Sequence, residues 1–171
     1  PSDLGFDGSK YVLPEPKYFE HVVQTELIGD ELFARPALSM LERRKAQRDS
    51  IEARCKALAD VVNADTSEPW LIWTHLNDEA EMLASLIPGA VNVQGSDSPE
   101  SKTRNMMAFT HGELRVLISK PKICGYGMNW QHCARMAFVG LDDSFEKFYQ
   151  AVRRCFRFGQ KRNVHVHVFT A

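Results

Sequence analysis

The stretch LIWTHLNDEAEMLASLIPGAVNVQGSDSP, residues 71–99, sets the pattern for most of this chain. Residues 71–74 are apolar and typical of a buried strand. Residues 78–87 predict a helix, because acidic side chains stand in its first turn, where they complement the helix dipole. Residues 91–94 predict a second strand. The order strand, helix, strand within so short a stretch indicates an α/β unit.

The same alternation continues to the end of the chain. Further helices are predicted from residue 98 to about residue 110 and over residues 144–157, and further strands at residues 114–119, 136–140 and 164–169. Strands that alternate with helical patterns of roughly 10–15 residues favour a parallel sheet with helices on both faces. We therefore predict a three-layer α/β fold. Ligands of such sheets bind at the carboxyl ends of the strands, which directs attention to residues 74–76, 94–96 and 119–129 and to the last helix.

The first part of the chain has a different composition. Residues 11–14 and 21–24 are short strand-like runs, and residues 36–63 are rich in Ala, Leu, Glu, Arg and Lys with apolar residues at helical spacing. We expect an N-terminal extension with short strands and one long amphipathic helix over residues 1–68. The α/β domain would then cover residues 69–171.

Length and composition bound the class of protein. The chain has 171 residues, of which 44% are hydrophobic and 25% charged, so it suits one compact domain and excludes a disordered or collagen-like chain. No apolar run approaches the roughly 20 residues of a membrane helix, so no membrane partner is expected. The four cysteines form no C-x-x-C pair, which favours a reducing, cytoplasmic setting and predicts no metal site. The chain lacks an initiator methionine, and we expect it to be a piece of a larger protein.

Charge is balanced overall, with 21 basic and 22 acidic residues, but it is unevenly spread. Residues 147–162 contain six basic side chains and no acidic one. Such a cluster is either a solvated face or a surface that binds phosphate.

The segment QAVRRCFRFGQ, residues 150–160, lies in this cluster. On a helix, the spacing of Gln150, Arg154 and Arg157 would align all three on one face, and Gly159 could end that helix in a left-handed turn. Arginine is always charged and offers fork-shaped donors that suit phosphate oxygens. A surface helix whose arginines pair with carboxylates elsewhere remains the alternative.

The segment LISKPKICGYGMNW, residues 117–130, predicts a strand followed by a loop with Gly125 and Gly127. Two glycines allow a ligand to approach the backbone closely, and Ser119, Lys120 and Asn129 add hydrogen-bond donors. A plain tight turn would have the same composition.

Together the two segments resemble motifs V and VI of superfamily-2 helicases. The similarity is greatest to the Swi/Snf-type branch, DNA-dependent ATPases that translocate on duplex DNA. The matching positions are Gln150, Ala151, Arg154, Arg157, Gly159 and Gln160 in motif VI, and Ser119, Gly125, Gly127 and Asn129 in motif V. The departures are Arg153 for the usual Asp, Phe156 for His, Cys124 for Gly and Trp130 for Leu. The resemblance covers about residues 70–171.

The resemblance implies a RecA-like lobe and a role for each matching residue. Arg154 and Arg157 would be the catalytic residues that reach the γ-phosphate of ATP bound to another lobe. The remaining ATP-site residues would be Gln150, Gly125, Gly127 and Gln160. The nucleic-acid contacts at strand ends would be Thr74, His75, Ser96, Ser119, Lys120 and Asn129.

The sequence holds only part of such a motor. It contains no G-x-x-x-x-G-K-[ST] segment, so these 171 residues have no loop to cradle a triphosphate. The acidic residues 78–81 open a helix instead of ending a strand, which argues against a magnesium motif. We expect a second lobe that is inactive alone. Its partners would be a first RecA-like lobe, which holds most of the contacts to ATP and Mg²⁺, and a nucleic acid, with DNA favoured over RNA.

Two other classes were weighed. A non-enzymatic α/β domain could use the same basic face to bind nucleic-acid phosphates. A doubly wound methyltransferase or dehydrogenase needs a glycine-rich turn after its first strand, but after residues 71–74 no glycine occurs until Gly89.

Overall fold

The computed structural model describes residues 12–24, 40–124, 128–141 and 144–171. Within these residues the chain forms β1 (Lys17–Val22), α1 (Met40–Asp49), α2 (Ile51–Ala64), β2 (Trp70–Thr74), α3 (Asn77–Leu86), β3 (Val91–Val93), α4 (Pro99–Thr110), β4 (Val116–Ser119), α5 (Pro121–Cys124), β5 (Arg135–Val139), α6 (Phe145–Val152) and β6 (His165–Thr170).

The strands form one six-stranded sheet in the order β1-β6-β5-β2-β4-β3, and each neighbouring pair is parallel. Leu71 of β2 lies opposite Leu117 of β4 on one side and Met136 of β5 on the other. The predicted parallel α/β sheet is therefore confirmed. All strand carboxyl ends lie at one edge of this sheet and all amino ends at the other, because every pair is parallel.

Helices cover both faces of the sheet, as predicted. Trp70 and Ile72 of β2 pack in the core beneath α2 and α3. Leu71 and Trp73 point to the opposite face, into the core beneath α4 and α6. All five residues of β2 are buried, which is why this strand reads as a continuous apolar run.

The N-terminal elements differ from the prediction. The long helix expected over residues 36–63 is interrupted at Ser50, which separates α1 from α2. The Ser50 hydroxyl donates to the carbonyl oxygen of Ala46 at 2.7 Å, a local bond that competes with the helical ladder. A strand occupies Lys17–Val22 instead of the two runs expected at residues 11–14 and 21–24; residue 11 and residues 36–39 lie outside the described part.

The sheet extends across the boundary expected between residues 68 and 69. β1 forms one edge of the sheet by pairing with β6, and α2 supplies Cys55, Leu58 and Val62 to the core. The division of the chain at this point stays a prediction. The described elements before it are structural parts of the α/β unit.

A buried ion pair joins α2 to the start of α3. Arg54 Nη1 donates to Glu79 Oε1 at 2.9 Å, and the two side chains are only 2% and 1% exposed. The second oxygen, Oε2, accepts the backbone N–H groups of His75 and Leu76, each at 2.9 Å. Glu79 thus satisfies backbone donors at the helix N-terminus and fixes the path of the chain as it leaves β2.

The same pair reaches two further parts of the fold. Arg54 Nε donates to Ser50 Oγ at 2.9 Å, and Nη2 donates to the carbonyl oxygen of Gln47 at 2.6 Å, so the guanidinium also fixes the junction of α1 and α2. Gly140, just after β5, has φ +74, and a Cβ there would lie 3.0 Å from both Arg54 Nη1 and Glu79 Oε1. A side chain would be strained by the backbone and would crowd the ion pair.

Histidine rings join the edge strand β1 to β6. His21 Nε2 and His167 Nδ1 lie 3.0 Å apart in a hydrogen bond, so at least one ring is neutral and accepts. Phe19 stacks on His167 with ring centroids 4.8 Å apart, and His21 stacks on Phe169 at 4.3 Å. Burial, helped by the charge of His21, lowers the pKa of His167 to about 4.

We predict that Glu79→Gln lowers the free energy of unfolding by about 3 kcal/mol, because it leaves the Arg54 charge buried without its counter-ion. Urea unfolding followed by circular dichroism measures the change. The matched control is Glu81→Gln, an exposed carboxylate on the same helix, for which a change within about 0.5 kcal/mol is expected. Equal losses in the two variants would contradict a structural role for the ion pair.

We also predict that the fold loses stability as the pH falls from about 6.5 towards 4. The pKa of His167 is about 4 in the fold against 6.5 for the ordinary group, so the unfolded chain binds the proton first and acid favours unfolding. His167→Gln should lose less stability than the unaltered chain between about pH 7 and pH 5 in urea titrations. His75→Gln, which alters an exposed histidine, should keep the full pH dependence.

Candidate functional site

The carboxyl ends of β2 and β5 border a cavity of about 230 Å³. Thr74, His75 and Lys120 line it, as the sequence placed them at this edge, together with Phe138 and Phe148. His75 is exposed, whereas Thr74 is only 3% exposed. Among the described residues the Thr74 hydroxyl finds no hydrogen-bond partner. We call this space the aromatic cavity.

A second cavity of about 310 Å³ lies beside it, near the end of β3. Ser96 lines this polar cavity and is exposed, in keeping with the prediction that it faces solvent at a strand end. Lys120 and Lys122 line both cavities, so their ammonium groups mark the boundary between them.

Ser119 does not share this surface. It is 1% exposed, and its hydroxyl donates to the carbonyl oxygen of Val93 at 2.8 Å. The hydroxyl therefore joins β4 to β3 inside the sheet. The predicted contact between this side chain and nucleic acid is not available in this structure.

The arginine segment is built differently from the helix predicted over residues 144–157. α6 ends at Val152, and Arg154 and Arg157 lie in the turns that follow. The Arg154 carbonyl accepts the N–H of Trp130 at 2.8 Å, and the Arg157 N–H turns back to the carbonyl of Cys155 at 3.1 Å. These bonds divert the backbone from the helical ladder, so the two arginines do not share one helical face with Gln150.

The guanidinium groups contact the end of the predicted motif V loop. Arg154 Nη1 donates to the carbonyl oxygen of Met128 at 3.4 Å, and Arg157 Nη1 donates to Asn129 Oδ1. Both acceptors are neutral. Gln150 lies one turn earlier on α6, where its amide donates to Glu146 Oε1 at 3.0 Å. We call the turns that carry Arg154 and Arg157 the arginine turns.

The arginine turns and the aromatic cavity lie at opposite edges of the sheet. α6 starts after β5 has ended and runs back across the sheet, so the arginine turns reach the edge where β5 and β6 begin. Asn129, predicted to contact nucleic acid with the strand-end residues, lies with Arg157 at the amino-end edge. The predicted site residues therefore form two separate surfaces.

Gln160 takes a position that the resemblance does not imply. It is 5% exposed, and its Nε2 donates to the carbonyl oxygens of Cys133 at 3.1 Å and Cys155 at 3.3 Å. Its Oε1 accepts the N–H of Arg162 at 3.0 Å. The amide thus fixes the arginine turns from below, and in this structure it does not face a ligand.

Gly125 and Gly127 lie outside the described residues. Just before them the chain forms the short helix α5, where the sequence predicted only a loop. Trp130, which stands where the helicase motif has Leu, is fully buried, and its Nε1 donates to Thr110 Oγ1 at 3.0 Å. The tryptophan therefore anchors the chain that carries Asn129.

Phe138 and Phe148 of the aromatic cavity were absent from the predicted site. Their ring centroids lie 4.6 Å apart, one ring on β5 and the other on α6. The available signal was weak: Phe148 follows the α6 N-cap Ser144 by four residues, so it returns to the same edge of the sheet.

The cysteines show no sign of reactive chemistry. All four are free and buried, and burial raises the pKa of Cys55 to about 12 and also raises the pKa of Cys124. Within the described ranges, no group of three His, Cys, Asp or Glu side chains is arranged to hold a metal ion. In those same ranges, every helix is too short or too polar to cross a bilayer.

Comparisons with known proteins agree on one family. The family described as "Helicase conserved C-terminal domain" matches residues 53–159. Protein p41 of Acyrthosiphon pisum secondary endosymbiont phage 1 is 24% identical over 126 residues, which make up 70% of this chain and 26% of p41, so the chain spans about a quarter of that relative.

Two solved structures share the fold. The C-terminal part of the Fun30 ATPase domain has a TM-score of 0.60 at 17% identity, over 68% of this chain and 40% of that one. The RNA helicase Prp28 from Chaetomium thermophilum bound to ADP has a TM-score of 0.62 at 14% identity, over 92% of this chain and 33% of that one. With the family matched over more than half of its length and the parallel sheet in place, the chain belongs to the helicase C-terminal domain family.

Proposed function

We propose that this chain is the second motor lobe of an ATP-dependent nucleic-acid translocase of the Swi/Snf type. The observation that carries the proposal is the pair Arg154 and Arg157, held in turns beside Asn129 near the end of the family match. The two guanidinium groups would act on ATP held by a first lobe. Nucleic acid would bind the opposite, carboxyl-end edge of the sheet.

The arginine turns fit a polyphosphate chemically. The hydrogen bonds described above leave the positive charge of Arg157 without neutralisation, because an amide oxygen carries no net charge. An arginine fork can exchange a neutral oxygen for a phosphate oxygen and gain a charge-assisted hydrogen bond. Gln150 would lie near the same phosphates, and Gly125 and Gly127 remain predicted members of the ATP site. The Mg²⁺ that accompanies ATP would be held mainly by the first lobe.

The carboxyl-end edge fits a phosphate backbone. Thr74, His75, Ser96 and Lys120 bring two hydroxyls, an imidazole and an ammonium group to one edge of the sheet. Contacts of this kind position a strand without reading its sequence. The ending Phe158-Gly159-Gln160 favours the Swi/Snf branch and therefore DNA. Buried, free thiols support a reducing cytoplasmic setting.

In the full-length protein that contains this chain, we predict that Arg154→Ala and Arg157→Ala each abolish nucleic-acid-stimulated ATP hydrolysis. An arginine that stabilises the transferring phosphoryl group is worth roughly 10³–10⁵ in rate. A coupled-enzyme assay of phosphate release measures the effect. The 171-residue chain alone should show no turnover, because it lacks a phosphate-cradling loop.

Arg153→Ala is the matched control for these two variants. Arg153 belongs to the same turns, but its guanidinium carbon lies 5.5 Å from the centre of the Phe156 ring, in a cation–π contact. Its removal should leave the rate within a few-fold of the unaltered protein. Normal hydrolysis in Arg154→Ala and Arg157→Ala would refute the catalytic role and leave a non-enzymatic nucleic-acid-binding domain as the better description.

We further predict that Lys120→Ala weakens nucleic-acid binding uniformly across sequences. Loss of one phosphate contact should reduce the slope of log K against log salt by about 1. Fluorescence anisotropy over a salt series measures both effects. Lys161→Ala removes an exposed lysine from the basic segment near the arginine turns and should leave the slope unchanged. The opposite result would move the nucleic-acid surface to the amino-end edge.

A further inference from the structure

The aromatic cavity is not built like a simple phosphate site. Trp73, Phe138 and Phe148 form much of its wall, and the Phe138 and Phe148 rings touch with centroids 4.6 Å apart. A site for phosphate alone needs only hydrogen-bond donors and positive charge. Aromatic walls instead suit a flat ligand that can stack or make edge contacts with a ring.

The Thr74 hydroxyl adds a polar requirement. It lines this cavity, its residue is 3% exposed, and among the described residues the oxygen has no hydrogen-bond partner. Leaving a buried hydroxyl unpaired is costly, and a hydroxyl can both donate and accept. A ligand with polar groups along its edge would relieve that cost.

The volume limits the size of the ligand. About 230 Å³ is several times the roughly 30 Å³ share of a water molecule and lies below the roughly 300–1,000 Å³ of sites for drug-sized ligands. The cavity therefore suits one small ring system and not a whole nucleoside triphosphate.

The surrounding charge indicates how that ring would be attached. Lys120 and Lys122 line both the aromatic cavity and the polar cavity beside it. A phosphodiester next to the ring could bind these ammonium groups, while the following sugar and phosphate would meet Asn92, Gln94 and Ser96 of the polar cavity. Ring, negative charge and polar continuation describe successive nucleotides of a strand.

We infer that the aromatic cavity binds one unstacked base of a single-stranded segment of nucleic acid, with its phosphate on Lys120 and Lys122. This inference rests on the proposed function and adds to it a preference for unpaired nucleotides. A base inside a duplex is stacked on both sides and cannot enter such a cavity without leaving the helix. Stacking on protein rings tolerates any base, so the cavity would not select sequence.

The test uses the 171-residue chain and two labelled strands of roughly 12 nucleotides, one of thymidine and one with the same number of phosphates but no bases. Fluorescence anisotropy should show tighter binding of the thymidine strand by about tenfold, the value of one base stacked on an aromatic ring. A thymidine duplex with its complement should bind no better than the strand without bases.

Variants locate the effect. Phe148→Ala and the more conservative Phe148→Leu should both remove the preference for the thymidine strand while leaving the strand without bases bound as before. Thr74→Val, which keeps the shape of the side chain, should reduce the preference. Phe145→Leu is the matched control, because Phe145 begins the same helix, is 79% exposed and does not line the cavity.

Three results would overturn the inference: equal binding of the two strands, loss of both by the same factor in a Phe148→Leu chain that keeps its circular dichroism spectrum, or displacement of the thymidine strand by free thymidine monophosphate at concentrations similar to those of the strand. The last result would assign the cavity to free nucleotides. Failure of the proposed nucleic-acid role is distinguishable, because then neither strand would show salt-dependent binding or respond to Lys120→Ala.

Discussion

The buried pair of Arg54 and Glu79 is the constraint on which the rest of this structure depends. A carboxylate and a guanidinium removed from water are tolerated only when their hydrogen-bonding capacity is filled. Here both are filled by parts of the chain distant in sequence: the exit from β2, the junction of α1 and α2, and the turn after β5 that has room only for Gly140. The pair therefore sets the positions of Thr74 and His75 at the strand-end edge.

The separation of the arginine turns from the strand-end edge follows from the direction of α6. A right-handed crossover must carry the chain from the carboxyl end of one strand to the amino end of the next, so any residue after the crossover helix lies far from the strand ends. Arg154 and Arg157 come after that helix, and Thr74 and Lys120 lie where strands end. One lobe can thus present a polyphosphate surface and a nucleic-acid surface that do not compete for space.

The sequence carried the parallel sheet and its flanking helices, because apolar periodicity is a local property of each segment. It did not carry features fixed by distant partners. The end of α6 depends on the bond from the Trp130 N–H to the Arg154 carbonyl, and the burial of Gln160 depends on carbonyls from two separate loops. Arg54 and Glu79 are 25 residues apart and follow no motif. Spacing on a helix could align Arg154 with Gln150 only as long as the helix continued.

α6 has one more consequence for the lobe. It has eight residues, which at the rise of an α-helix is about 12 Å, and it begins beside the cavity that includes Phe148 and ends at the turn that includes Arg154. Its backbone hydrogen bonds make it stiff over that length. A tug on the guanidinium end is therefore delivered to the opposite rim by a single lever, with no intermediate joint to absorb the displacement.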